Sequence, residues 1–130
     1  MPTAAQQTAR FQQAALGDPN YVYVTKVRAL LQNLPALDVI PSAVLFPANK
    51  DRVFMAIQNI SASGIKGYFS NERNVTSAKR FSIAPGAVLN AENAPIAPAN
   101  AIYMAGDAGC VIEAYEVIRV DRAHFDETQW

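Results

Sequence analysis

Charge is what this chain has least of. Of its 130 residues, 17% are charged and 51% hydrophobic, against a usual charged share of about 25%. The charges it has cancel, with 11 Lys and Arg against 11 Asp and Glu. Without a basic surplus to meet phosphates, the composition speaks against a nucleic-acid binder. A domain so poor in charge cannot cover its outside with it, so some apolar surface is expected to meet another subunit.

Cysteine and histidine are almost missing: Cys110 and His124 stand alone. No internal disulfide can form, and nothing supports export to an oxidising compartment. A structural zinc site wants about four such ligands, so no metal is expected. A Cys–His nucleophile pair would need Cys110, at the head of the apolar run Cys110-Val111-Ile112, to meet His124 in a polar tail. A small buried hydrophobe suits Cys110 better. Glu113 and Glu116, three apart on an expected strand, point to opposite faces and so do not pair as glycosidase carboxylates do. Asp107 lies between Gly106 and Ala108, a setting for a turn. Gly64, Gly67 and Gly86 build no phosphate-cradling loop. No catalytic residue and no cofactor is expected. The start, Met1 to Gln7, lacks the basic and apolar parts of a secretory signal, and no stretch approaches the length of a membrane span. No membrane partner is expected.

What is present divides into three parts: an N-terminal arm over residues 1–20, a β domain over 21–120 and a tail over 121–130. Residues 3–16 are rich in Ala and Gln, with Thr3 placed as an N-cap and Gly17 as a stop. Phe11 and Leu16 are the only large apolar residues there, too few for a helix to stand alone, so the arm orders against the body or a partner. After Asp18-Pro19 two patterns compete. Tyr23, Val27, Leu30, Leu31 and Leu34 recur at helical spacing, whereas Tyr21 to Thr25 has strand composition. A short strand running into a helix that ends at Pro35 satisfies both.

From Pro35 onward prolines interrupt the chain, and brief β-prone runs lie between turn signals. The runs are Ala43–Phe46, Arg52–Ile60, Gly67–Phe69, Arg80–Ile83, Ala101–Ala105 and Cys110–Val120. The pattern predicts a mainly β fold, an antiparallel β-sandwich or jelly roll with an N-terminal helical arm. In Arg52–Ile60, Val53, Met55 and Ile57 share one face and Phe54, Ala56 and Gln58 the other, so both faces are largely apolar. A sandwich has one interior; the second face must meet the N-terminal helix or a neighbouring subunit. In the last run Glu116 stands out of place among Cys110, Ile112, Ala114, Ile118 and Val120. Asn59 and Ser61 can close a strand on local backbone, and Pro85-Gly86 can fill the centre of a type II turn.

The pattern Pro47-Ala48-Asn49-x-x-Arg52-x-Phe54-x-x-Ile57-Gln58-Asn59-x-Ser61, then Ile83-Ala84-Pro85-Gly86, then Pro98-x-x-Ala101-Ile102-Tyr103-Met104 resembles small β-sandwich proteins encoded among bacteriophage structural genes. It looks most like the jelly-roll decoration (cement) proteins that clasp the joints between major capsid subunits. The resemblance covers roughly residues 44–120. It implies a structural role on the capsid exterior of a virion after synthesis in the host cytoplasm. It also implies a homo-oligomer, dimer or trimer, with the major capsid protein as partner and no catalytic residues. Phe11 in the arm and Arg122, Phe125 and Trp130 in the tail are the expected partner-binding residues. Trp130, the only tryptophan, either lies exposed, folds back on its own domain or docks on the partner. The alternative is a carbohydrate- or receptor-binding module of a phage tail or fibre, using Tyr21, Tyr23, Tyr68 and Tyr103 as platforms. Each of those lies in an apolar run that also suits core packing.

Overall fold

The computed structural model describes residues 2–90, 92–93, 96–126 and 128, leaving out the side chains of residues 28–30. The arm is helix α1 (Ala4–Ala15), started by a capping box in which Thr3 and Gln6 bond each other's backbone. Strands follow in the order β1 (Tyr21–Leu31), β2 (Ala43–Phe46), β3 (Arg52–Asn59), β4 (Gly67–Ser70), β5 (Phe81–Ile83), β6 (Val88–Asn90), β7 (Ile102–Gly106) and β8 (Ile112–Asp121). A 3₁₀ turn, Arg122–His124, comes after β8. These strands build two antiparallel sheets, β1-β8-β3-β6 and β2-β7-β4-β5. Only the β4–β5 link stays within one sheet; every other connection crosses to the opposite one. The mainly β, antiparallel sandwich with an N-terminal helix is therefore the architecture the chain forms.

The helix expected between the Tyr21–Thr25 strand and Pro35 does not form. β1 is one 11-residue strand whose Tyr21 to Arg28 pair without interruption with Asp121 to Ala114 of β8. Residues four apart share a face in a strand as well as in a helix, so Tyr23 and Val27 fitted both periods. A bulge between Arg28 and Leu31 then turns Leu31 back toward the interior, which imitates the helical spacing further on. All six predicted strand runs appear, with ends that match or differ by one or two residues, while β6 carried no signal strong enough to be read.

Two apolar layers hold the molecule together. Between the sheets, Leu45, Phe46, Met55, Ile57, Phe69, Ile83, Ile102, Met104 and Ile112 are buried. Outside the first sheet, Ala4 of α1 packs with Phe54, Ala56, Val88 and Val117, flanked by Phe11, Tyr23, Val53 and Tyr115. The second apolar face of β3 is thus covered by the chain's own helix. Val53 does not share the face of Met55 and Ile57 as expected. A bulge between Arg52 and Phe54 shifts it to the helix side and turns Arg52 inward.

That inward turn accounts for Glu116. Arg52 is 2% exposed and donates from Nε to the Glu116 carboxylate at 2.8 Å. Three more N–H bonds go to the carbonyls of Pro47, Pro98 and Asn100, and its plane lies 4.7 Å over the Phe46 ring. A buried charge so fully bonded is tolerable where an unpaired one is not. At the opposite end of β3, Asn59 donates to the carbonyls of Ile65 and Ile83 and accepts from the Ser61 amide. The turn after Ile83 has the expected form: Ala87 N–H bonds the Ala84 carbonyl across Pro85-Gly86, with Gly86 at φ 81°.

Candidate functional site

The end of α1, the start of β1 and the 3₁₀ turn meet at one corner and enclose a groove of about 410 Å³. Leu16, Tyr21, Val22, Tyr23, Arg122 and Phe125 line most of it. Why the chain folds this way is local. Asp18 accepts from the Asn20 amide at 2.9 Å and from the Tyr23 hydroxyl at 2.9 Å, which fixes the step from helix to strand. Those two bonds, the amide first, hold the Asp18 carboxyl below the usual carboxylate range. Burial, with the Asp18 bond second, pushes the Tyr23 phenol up. Arg122 donates to the carbonyls of Pro19 at 3.2 Å and Tyr21 at 3.4 Å, lashing the turn after β8 to the start of β1. Leu16, 68% exposed, forms the apolar lip.

A second hollow of about 440 Å³ lies along the other side of α1, with Phe11, Phe54, Gln7, Arg10, Asn90 and Glu92 among its walls. Here Phe11 stacks on Phe54 with ring centres 4.6 Å apart and meets Tyr23 edge-on at 6.2 Å. Phe11 is half-buried and serves first to anchor the helix. Amide groups do the rest: the Ala4 amide donates to the Gln58 side chain, Gln12 to the Tyr23 carbonyl, and Asn90 to Gln7. The arm's glutamines, unassigned by sequence reading, are hydrogen-bonding posts to the sheet.

A third surface is the connection between β1 and β2, where Val39 is 50% and Ile40 65% exposed. It is not loose. The Asp38 carboxylate accepts from the Ser77 hydroxyl and, at 2.8 Å, from the Ser77 amide. These bonds, the hydroxyl first, hold the Asp38 carboxyl below its ordinary range. The Asp38 amide bonds the Val75 carbonyl and the Val75 amide the Ser42 hydroxyl, so two long connections clamp each other.

Of the expected contact residues, Arg122 and Phe125 come together in the first groove, Phe11 lies on the far side of the helix, and Trp130 is outside the described residues. Cys110 and His124 flank the two ends of β8, whose ten residues extend about 33 Å at strand rise. His124 is exposed beside Asp121, 3.9 Å away. Cys110 is buried, and burial pushes its thiol up. Glu113 faces the helix side, bonded by the Tyr115 hydroxyl, while Glu116 faces inward to Arg52. Asp107 starts the turn before β8, its carbonyl accepting from the Cys110 amide, while its carboxylate reaches across to the Lys66 amide and the Tyr68 hydroxyl. Among the described residues no three His, Cys, Asp or Glu side chains gather as a metal site would need. The tyrosines have internal work too: Arg119 lies 4.5 Å over Tyr21 and Arg80 5.1 Å over Tyr68. Among the described residues, no helix is long and apolar enough to cross a membrane. No protein-family model matches the chain, and no curated protein matches it. What the corner groove offers is apolar and aromatic side chains beside Arg122 and Gln12.

Proposed function

We propose that this protein is a jelly-roll decoration (cement) subunit on the outside of a bacteriophage head, a dimer or trimer that stabilises the shell by bridging major capsid subunits. The observation that carries the reading is large apolar side chains left in solvent: Leu16 at one corner and, on a separate clamped connection, Val39 and Ile40. Burying each such side chain in an interface contributes about 1.5–3 kcal/mol, and many copies on one shell act together. Clamping the connection beforehand lowers the ordering cost of docking. The strand order supports the jelly-roll reading, because every connection but β4–β5 crosses between the two sheets and β8 returns beside β1. Such rolls recur in viral capsid and lectin domains, which is a fold-level analogy only. The resemblance over residues 44–120 supports the phage setting.

A carbohydrate- or receptor-binding module of a tail or fibre is the second reading. It is favoured by the hollow beside Phe11, where an aromatic wall meets Gln7, Arg10, Asn90 and Glu92. The two readings separate on copy number. Quantifying the protein in purified particles should find it at a level comparable to the major shell subunit; a handful of copies per particle would transfer it to the tail. Leu16→Glu with Ile40→Glu should then abolish co-sedimentation with empty heads.

A further inference from the structure

Charge is spread unevenly over the molecule. Residues 29–49, which hold β2, carry one charged side chain, Asp38, and residues 93–106, which hold β7, carry none, in a chain that is 17% charged. These two strands pair at the margin of the second sheet. Ile102 and Met104 are buried between the sheets, so Tyr103 faces out, and Val44, paired with it, shares that face. Val44 is 48% exposed, and the exposed Val39 and Ile40 lie on the connection that leads into its strand. Helix α1 covers the first sheet and not this face. The one charge of the sector, Asp38, is engaged within the chain by the amide and hydroxyl of Ser77.

We infer that this uncharged face is the contact between two copies of the protein, packed face to face about a twofold axis. Strand addition is not the mode. Pro41 and Pro47 flank β2 and a bulge lies between Val44 and Phe46, the devices that keep a sheet margin from pairing. Charge decides the occupant. In a twofold contact the patch meets itself, so no charge is buried without a partner and no like charges are opposed. A foreign face bearing Lys, Arg, Asp or Glu would lose the water around those charges and find no counter-charge here. The whole chain, with 11 basic against 11 acidic residues, adds no net repulsion between copies. The clamp through Asp38, Ser42, Val75 and Ser77 orders the approach to β2 beforehand, which lowers the cost of docking. Three apolar side chains and a tyrosine make a small patch, so the pair forms reversibly. The inference rests on the assembly reading and assigns Val39, Ile40 and Val44 to the contact between copies, but it is tested on the isolated protein.

Sedimentation velocity from about 1 µM to about 1 mM should show the isolated protein pass from monomer to dimer. Over the same series the amide resonances of Val39, Ile40, Val44 and Tyr103 should shift, while those of Leu16 and Val27 should not. Val44 is exposed in the single chain, so charging it leaves the fold intact. Val44→Lys and Val44→Glu should each raise the dissociation constant at least about tenfold, and an equimolar mixture of the two should return it to within about threefold of the unmodified value. The inference is overturned by a monomer at every concentration, by a trimer, or by shifts that map elsewhere. It is equally overturned by variants that dimerise as well as the unmodified protein, or by a mixture that stays monomeric. If a variant fails to fold, the dilution series on the unmodified protein decides. None of those results alters the number of copies per particle, so this inference and the capsid reading fail separately.

Discussion

Arg52 and Glu116 form a 2.8 Å ion pair inside the sandwich, 64 residues apart in the chain and joined by a bulge that turns the arginine inward. The same guanidinium gathers the carbonyls of Pro47, Pro98 and Asn100, so it ties the β2–β3 and β6–β7 connections to the centre of β8. Glu116→Ala strands a buried cation. Urea unfolding should show a loss of about 3–5 kcal/mol, far beyond the 0–1 kcal/mol of an exposed pair. A loss below about 1 kcal/mol would show that the pair is hydrated in solution.

Phe11→Ala removes the stacking partner of Phe54. Because Phe11 is only half-buried, the loss should be about 2–3 kcal/mol, below that of a full core phenylalanine. Amide exchange should accelerate through Ala4–Ala15 and stay slow in β3 and β8, showing the helix released from an intact sandwich.

Gly106 tests packing against backbone freedom. A Cβ there would lie 2.7 Å from Cys110 Cβ and 3.0 Å from its sulfur. Gly106→Ala gains about 0.4–1 kcal/mol by restricting the unfolded chain, but overpacking costs about 1–3 kcal/mol, so the melting temperature should fall. Gly17, with nothing within 4 Å of its Cβ position, is the control: Gly17→Ala should leave stability unchanged or slightly raised.

Tyr115 predicts an alkaline transition. Its hydroxyl bonds Glu113, and that bond, aided by burial, pushes the phenol from an ordinary 10.0 up to about 12. The folded state favours the protonated form, so this stabilisation is complete below about pH 10 and disappears as the pH rises toward 12. Absorbance titration should show Tyr115 ionising last among the tyrosines, and Glu113→Gln should move that step to lower pH.

The legible part of the molecule was what composition and turn chemistry decide. Pro85-Gly86 and the Asn59 closure announced themselves, because only a few residue types make those bonds. The two-sided β3 was legible because Val53 to Ile57 has no polar residue. Val53's side was not, since a bulge depends on tertiary pairing and leaves no local mark. β1 was ambiguous because spacings of four satisfy both periods. Glu116 looked out of place until Arg52, at the opposite side of the chain's order, supplied its partner. The corner groove could not be foreseen at all, since Leu16, Tyr21 and Phe125 meet only after β1 and β8 have paired.

The buried thiol of Cys110 lies against Gly67 and Gly106 and is in no disulfide. A disulfide-exchange reagent can reach it only when that end of the sandwich opens. The rate at which an unmodified sample consumes such a reagent therefore clocks the breathing of one edge of the molecule, with no label introduced. Binding of a partner at the far end of β8 would slow that clock only if the strand transmits rigidity along its whole length.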